Sequence, residues 1–162
     1  YAERSKAAGG GARVELGFAE LGLRLGELDE AESRGREALA GLDAGSFNHA
    51  CTLEILGETA RRAGDPELAY DRFRDGLREF VALGDGGGMA DCLEGLARLA
   101  AAAGDATRAG RLVGSAETLR ETRGRRPIRA DEPPPEVPEA AREEGRGLSL
   151  GEAVDDALRG QR

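Results

Sequence analysis

Tryptophan is absent from this chain of 162 residues, histidine occurs once, at His49, and lysine once, at Lys6. With one imidazole no metal cluster of several histidines can be assembled, and no catalytic Ser-His-Asp arrangement is expected. His49 and Cys51 do not have a zinc spacing, and Cys92 raises the nitrogen and sulfur ligands to three at most, so no metal and no cofactor is expected. Two cysteines are too few for a disulfide framework; Cys51 and Cys92 are expected as free thiols. Aromatic residues make up only 4% of the chain, which disfavours a β-sandwich core and suits thin helices in close contact. Positive charge is also short. The net charge of -8 argues against direct nucleic-acid contact, because affinity for phosphate rests on accumulated cations. No apolar run approaches the roughly 20 residues that cross a bilayer, and residues 1–20 lack the apolar core of a secretion signal, so a cytoplasmic protein is expected.

What is present is a repeat. Gly26-Glu27, Gly64-Asp65 and Gly104-Asp105 each precede an alanine, at Ala31, Ala69 and Ala109. Seven residues before each glycine stands a small residue after a large apolar one: Phe18-Ala19, Leu56-Gly57 and Leu96-Ala97. Recurrence every 38 to 40 residues, with small residues at matched places, marks an array of helical hairpins in which glycine or alanine lets two backbones approach. The chain is accordingly read as all-α, with hairpins at about 12–41, 47–83 and 88–123 forming one repeat array over 12–123.

Around the array, residues 1–11 are expected as a flexible N-terminal segment that opens abruptly, as in a piece cut from a longer chain. In the first hairpin Val14, Phe18, Leu21 and Leu25 share one helical side, and Gly17, Gly22 and Gly35 should make this hairpin the loosest. The second carries Leu53, Leu56, Gly57 and Ala60, then Asp65 as a cap and Ala69, Phe73, Leu77, Phe80 and Val81 as an inward stripe, and should anchor the array. Gly84-Asp85-Gly86-Gly87-Gly88 lacks the following Lys-Ser or Lys-Thr of a phosphate loop and is expected as a flexible connection. Gly110 and Gly114, four apart, leave room for whatever packs on the third hairpin. An Arg/Pro-rich linker over 124–138 and a helical cap over 139–162 complete the chain, the cap carrying a Ser149/Glu152 capping box. The arginines between Arg120 and Arg129 are read chiefly as a solvated helix end, with an anion patch as the alternative.

No catalytic constellation emerges, so a non-enzymatic surface is expected. In such an array the first helices of successive hairpins line the concave side. Their charged residues are the candidates for partner contact: Arg13, Glu20 and Arg24; Glu54, Glu58, Arg61 and Arg62; Asp91, Glu94 and Arg98. The mixed signs suit a protein or peptide segment. A small molecule held between Glu58, Arg61, Arg62 and Arg98 is the alternative.

The order Leu56-Gly57, Ala60, Gly64-Asp65, Ala69, Phe73, written three times over residues 12–120, resembles a tetratricopeptide repeat. That resemblance implies a right-handed superhelix of stacked hairpins closed by a short C-terminal capping helix. Cys92-Leu93-Glu94-Gly95-Leu96-Ala97, Ala109-Gly110-Arg111-Leu112-Val113-Gly114-Ser115-Ala116-Glu117 and the closing Gly147-Leu148-Ser149-Leu150-Gly151-Glu152-Ala153-Val154 are similar to the C-terminal repeat region of large bacterial signal-transduction NTPases. The resemblance implies a sensor or scaffold arm of a transcriptional regulator, its partner a protein segment or other domains of the same regulator. The Pro-rich stretch stands where that family carries more helical sequence.

Overall fold

A computed structural model describes residues 2–123 and 132–159. Among them every regular element is a helix, and consecutive helices pack in pairs. The chain divides into two compact units, Tyr1–Leu83 and Gly84–Arg162, so the division falls between the second and third hairpins.

The first unit holds α1 (Ala2–Leu25), α2 (Leu28–Gly41), α3 (Phe47–Ala63) and α4 (Pro66–Leu83). α1 begins ten residues before the point where its apolar pattern sets in, and Gly9–Gly11 lie inside it. α1 pairs with α2 and α3 with α4, while α2 and α1 also pack on α3. The second unit holds α5 (Gly86–Ala102), α6 (Ala106–Arg123), α7 (Glu139–Gly147) and α8 (Leu150–Leu158). Here α5 pairs with α6, and α6 carries both α7 and α8.

One turn joins the helices of all three hairpins. Gly26, Gly64 and Gly104 have φ of 78°, 84° and 84°, a left-handed conformation that closes a helix without strain only at glycine. The next amide then reaches back five residues: Glu27 N–H donates to Gly22 O at 2.8 Å, Asp65 to Ala60 and Asp105 to Ala100 at 2.9 Å. The aspartates go further. Asp65 Oδ1 accepts from Leu68 N–H at 3.1 Å and Asp105 Oδ1 from Arg108 N–H at 3.0 Å, capping α4 and α6. Glu27 caps nothing with its side chain.

Behind each turn the small residues meet. Ala19, Ala31, Ala69, Ala97 and Ala109 are fully buried. A Cβ added at Gly57 would come within 2.9 Å of Phe73 Cδ1, and one at Gly22 within 3.1 Å of the Ala31 nitrogen. Phe73, Leu77 and Phe80 fill the second hairpin as expected, but Val81 is exposed.

One expectation is corrected and one is completed. The glycine run is not a flexible connection: Gly86–Gly88 form the buried first turn of α5, where Asp85 Oδ1 accepts from Gly88 N–H at 2.6 Å. The stripe Val14, Phe18, Leu21 and Leu25, read as sharing one helical side, faces outward; these side chains are 55%, 49%, 49% and 63% exposed. The reason is that Ala19, Gly22 and Leu23 take the contact with α2 and α3, joining Ala31 and Ile55. That turns the larger side chains of α1 outward.

The closing segment explains Gly110 and Gly114. α7 lies so close to α6 that a Cβ at Gly110 would stand 2.6 Å from Ala141 Cβ, and one at Gly114 would overlap the Arg142 carbonyl. Gly145 reciprocates against the Arg111 carbonyl, and Ser115 Oγ donates to Gly145 O at 3.0 Å. α8 opens on the expected capping box of Ser149 and Glu152 and ties to α6 through Arg111 and Asp156.

Candidate functional site

α3 is enclosed by α1, α2 and α4, which leaves little of its circumference to solvent. Two of its candidate residues are therefore not where the spacing put them. Glu54 and Glu58 are buried, 2% and 1% exposed. Glu58 is held by a fork of arginines from its own helix: Arg61 donates to both carboxylate oxygens at 2.7 and 2.9 Å, and Arg62 Nε to Oε1 at 2.7 Å. Burial pushes the Glu58 carboxyl up, but the hydrogen bonds and charges of Arg61 and Arg62 outweigh it and hold the group below the ordinary carboxylate value. Arg62 also reaches Leu23 O at 3.5 Å, so this cluster clips α3 to α1.

On α1, Arg13 and Arg24 are exposed, and Arg24 forms an ion pair with Glu20 one turn away at 2.6 Å. Exposed pairs of this kind contribute about 0.3–0.5 kcal/mol, so they leave the surface chemistry of α1 available. The third set lies in the other unit. Asp91 is buried, and with Glu94 it receives Arg120 from α6, Nη2 to Asp91 at 2.7 Å and Nε to Glu94 at 2.8 Å. Burial works against the charged guanidinium, and the two carboxylates overcome it, so the Arg120 pKa is raised. Arg98 is covered by the extended segment before α7: Nη2 donates to the carbonyls of Glu132 at 2.8 Å and Pro133 at 3.3 Å, and Nε pairs with the Glu132 carboxylate at 3.3 Å.

The candidates are thus local ion-pair clusters, one on each first helix. A large share of their charge is spent inside the protein. Glu58 engages Arg61 and Arg62, and Arg98 engages the Glu132–Pro133 segment, which removes the support for a small molecule bound by these four residues. Arg120 is not part of an anion patch but the centre of a cross-helix cluster; Arg125, Arg126 and Arg129 lie outside the described residues.

Several partners could not be paired from the sequence. Arg72 on α4 grips Glu32 on α2 with both amino nitrogens, at 2.6 and 2.7 Å, and donates to Leu56 O at 3.1 Å. The hydrogen bond from Arg72 holds the Glu32 carboxyl below its usual range against the opposing effect of burial. Glu117 on α6 receives Arg142 and Arg146 from α7. His49 Nδ1 lies 2.9 Å from Glu79 between α3 and α4, a contact that fastens the hairpin near its open end. The signal available in sequence was the abundance of arginine beside acid; which helix each one crosses to depends on packing. Among the described residues no group of three His, Cys, Asp or Glu side chains is arranged to hold a metal, and no helix is long and apolar enough to cross a membrane.

The chain matches no protein-family model, no curated protein and no solved structure.

Proposed function

We propose that this chain is a tetratricopeptide-like, non-catalytic interaction arm of a bacterial signalling or transcriptional regulator, and that it receives a protein or peptide segment, including one from other domains of that regulator. The observation that supports the reading is the threefold repetition of one hairpin: the same glycine turn, the same backbone hydrogen bond reaching back five residues and the same buried alanines. A repeated hairpin is a spacing device, and its product is a surface rather than a reaction centre.

The reading frame on both sides of this segment tests the proposal. A nucleotide-binding switch domain upstream, with a helix-turn-helix or cyclase domain at one end, is the expected finding. Titration of that switch domain into the chain should then give saturable binding that weakens when Arg13 and Arg24 are reversed in charge. A reading frame that encodes these residues alone would sink the regulator assignment, and a switch domain that does not bind would sink the interaction assignment.

A further inference from the structure

Arg98 stands on α5, the first helix of the third hairpin, and what it holds is largely backbone. Its Nη2 donates to the Glu132 carbonyl at 2.8 Å and the Pro133 carbonyl at 3.3 Å, and Nε pairs with the Glu132 carboxylate at 3.3 Å. A guanidinium has five donors and no acceptor, and proline keeps its carbonyl while lacking an N–H, so the two match. The segment 132–138, Glu-Pro-Pro-Pro-Glu-Val-Pro, has four prolines in seven residues. They fix φ at about −65° and push each preceding residue into the extended region, so the segment forms neither helix nor strand and needs no partner to stay extended. The next element is held differently. α7 is locked on α6 by close backbone approach at Gly110, Gly114 and Gly145 and by the Ser115 hydrogen bond, whereas Arg98 grips 132–138 by carbonyls that every extended segment has. Pro133, Pro134, Glu136 and Pro138 stay exposed. A donor near Arg98 is also left over. Glu94, one turn before it, and Asp91 hold Arg120, whose Nη1 is buried and meets no acceptor among the described residues. A buried donor without an acceptor is unfavourable, and one more carbonyl along α5 relieves it.

From this we infer that the Arg98 face of α5 is a docking site for an extended, proline-rich segment of a partner protein with an acidic residue at its head, and that residues 132–138 are its built-in competitor, an autoinhibitory strap. The partner segment takes Arg98 from the strap while α7 stays on α6. Proline-rich segments suit this exchange because they are extended beforehand and lose little entropy on binding. The tether sets the strength of the inhibition. A linked segment faces its seat at an effective concentration on the order of 1 mM, so a free segment with an intrinsic Kd of roughly 0.1 mM is weakened about tenfold by the strap. The inference rests on the interaction-arm reading only in that a partner exists; it adds which kind of segment binds and what holds it off.

The probe is a labelled peptide of residues 132–138, titrated by fluorescence anisotropy into the full chain and into a full-length variant whose residues 132–137 are replaced by glycine and serine. Pro138 is kept because its carbonyl accepts the first amides of α7. The variant should bind saturably and about tenfold or more tighter than the parent. Adding Arg98→Gln to it should abolish that gain, and a peptide with all four prolines changed to alanine should bind about tenfold or more weakly. A second measurement does not depend on the replacement folding. The chain has no tryptophan, so Pro134→Trp places a single reporter on the exposed side of the strap, and excess peptide should shift its emission to that seen when Arg98→Gln is added. The inference is overturned if the strap-replaced chain, with unchanged circular dichroism, binds no tighter than the parent. It is equally overturned if Arg98→Gln or the alanine peptide leaves binding intact, or if excess peptide leaves the tryptophan emission where it was. A switch domain that binds while the peptide does not sinks this inference alone; peptide binding by a chain whose reading frame holds no switch domain sinks the regulator assignment alone.

Discussion

The first and second hairpins have the same turn and the same small residues, yet they bury different things. In the second, Phe73, Leu77 and Phe80 are 0%, 0% and 2% exposed, and Leu56 and Gly57 are enclosed on both sides. In the first, the contact is made by Ala19, Leu23 and Ala31, while Val14, Phe18, Leu21 and Leu25 remain outside. The difference does not come from the repeat pattern. It comes from place in the stack: the second hairpin has α2 on one face of α3, whereas on the outer face of α1 Val14, Phe18, Leu21 and Leu25 stay half-exposed and Phe18 meets the guanidinium of Arg34. One motif therefore produces a core in one position and a surface in the next.

Truncating equivalent anchors breaks this comparison most sharply. Phe73→Ala should cost about 3–5 kcal/mol in urea unfolding followed by circular dichroism, because it opens a cavity in a fully buried site. Phe18→Ala should cost no more than about 1 kcal/mol, the scale of its contact with Arg34. Equal losses would mean that α1 is covered in solution.

Close approach gives the next largest contrast. Gly57→Val places a side chain against the Phe73 ring and should destabilise by about 1–3 kcal/mol in the same assay. The acid clusters supply a third test, read as melting temperature against pH. Glu58 and Glu32 both have carboxyls lowered in the folded protein, so their stabilisation is present above the unfolded value near 4.3 and is lost as pH falls through the lower folded values. Glu58→Gln should flatten the acid side of that curve.

The smallest effect has the opposite sign. Gly17 sits mid-helix in α1 with no atom within 4 Å of an added Cβ, so Gly17→Ala should stabilise by about 0.5–1 kcal/mol. A destabilising result would place a neighbour on α1.

Much of the local structure was legible from spacing alone. The Gly-Asp turns, the matched alanines, the Asp65 cap and the Ser149/Glu152 box rest on contacts within about six residues or on the need for small side chains where helices cross, and both leave marks in sequence. Gly110 and Gly114 announced a close neighbour and the helical cap was read over 139–162, but that the stretch before the capping box is the one that meets both glycines was hidden because Glu139–Gly147 is mostly charged and buries only Ala141 and Gly145. The glycine run of α5 misled for a related reason. Three glycines predict a loop on propensity, and here the cap of Asp85 and burial of the whole first turn override it.

The sequence by itself determined that the chain is helical, where its hairpins turn and which small residues lie between paired helices. Only the tertiary structure decided which face of each helix is covered. Periodicity places Phe18 and Leu56 alike, and it is the presence of α2 on α3 that buries one and leaves the other in water. It likewise decided that Glu54, Glu58 and Asp91 are interior charges rather than groove residues, because a carboxylate reads the same in sequence whether an arginine or solvent meets it.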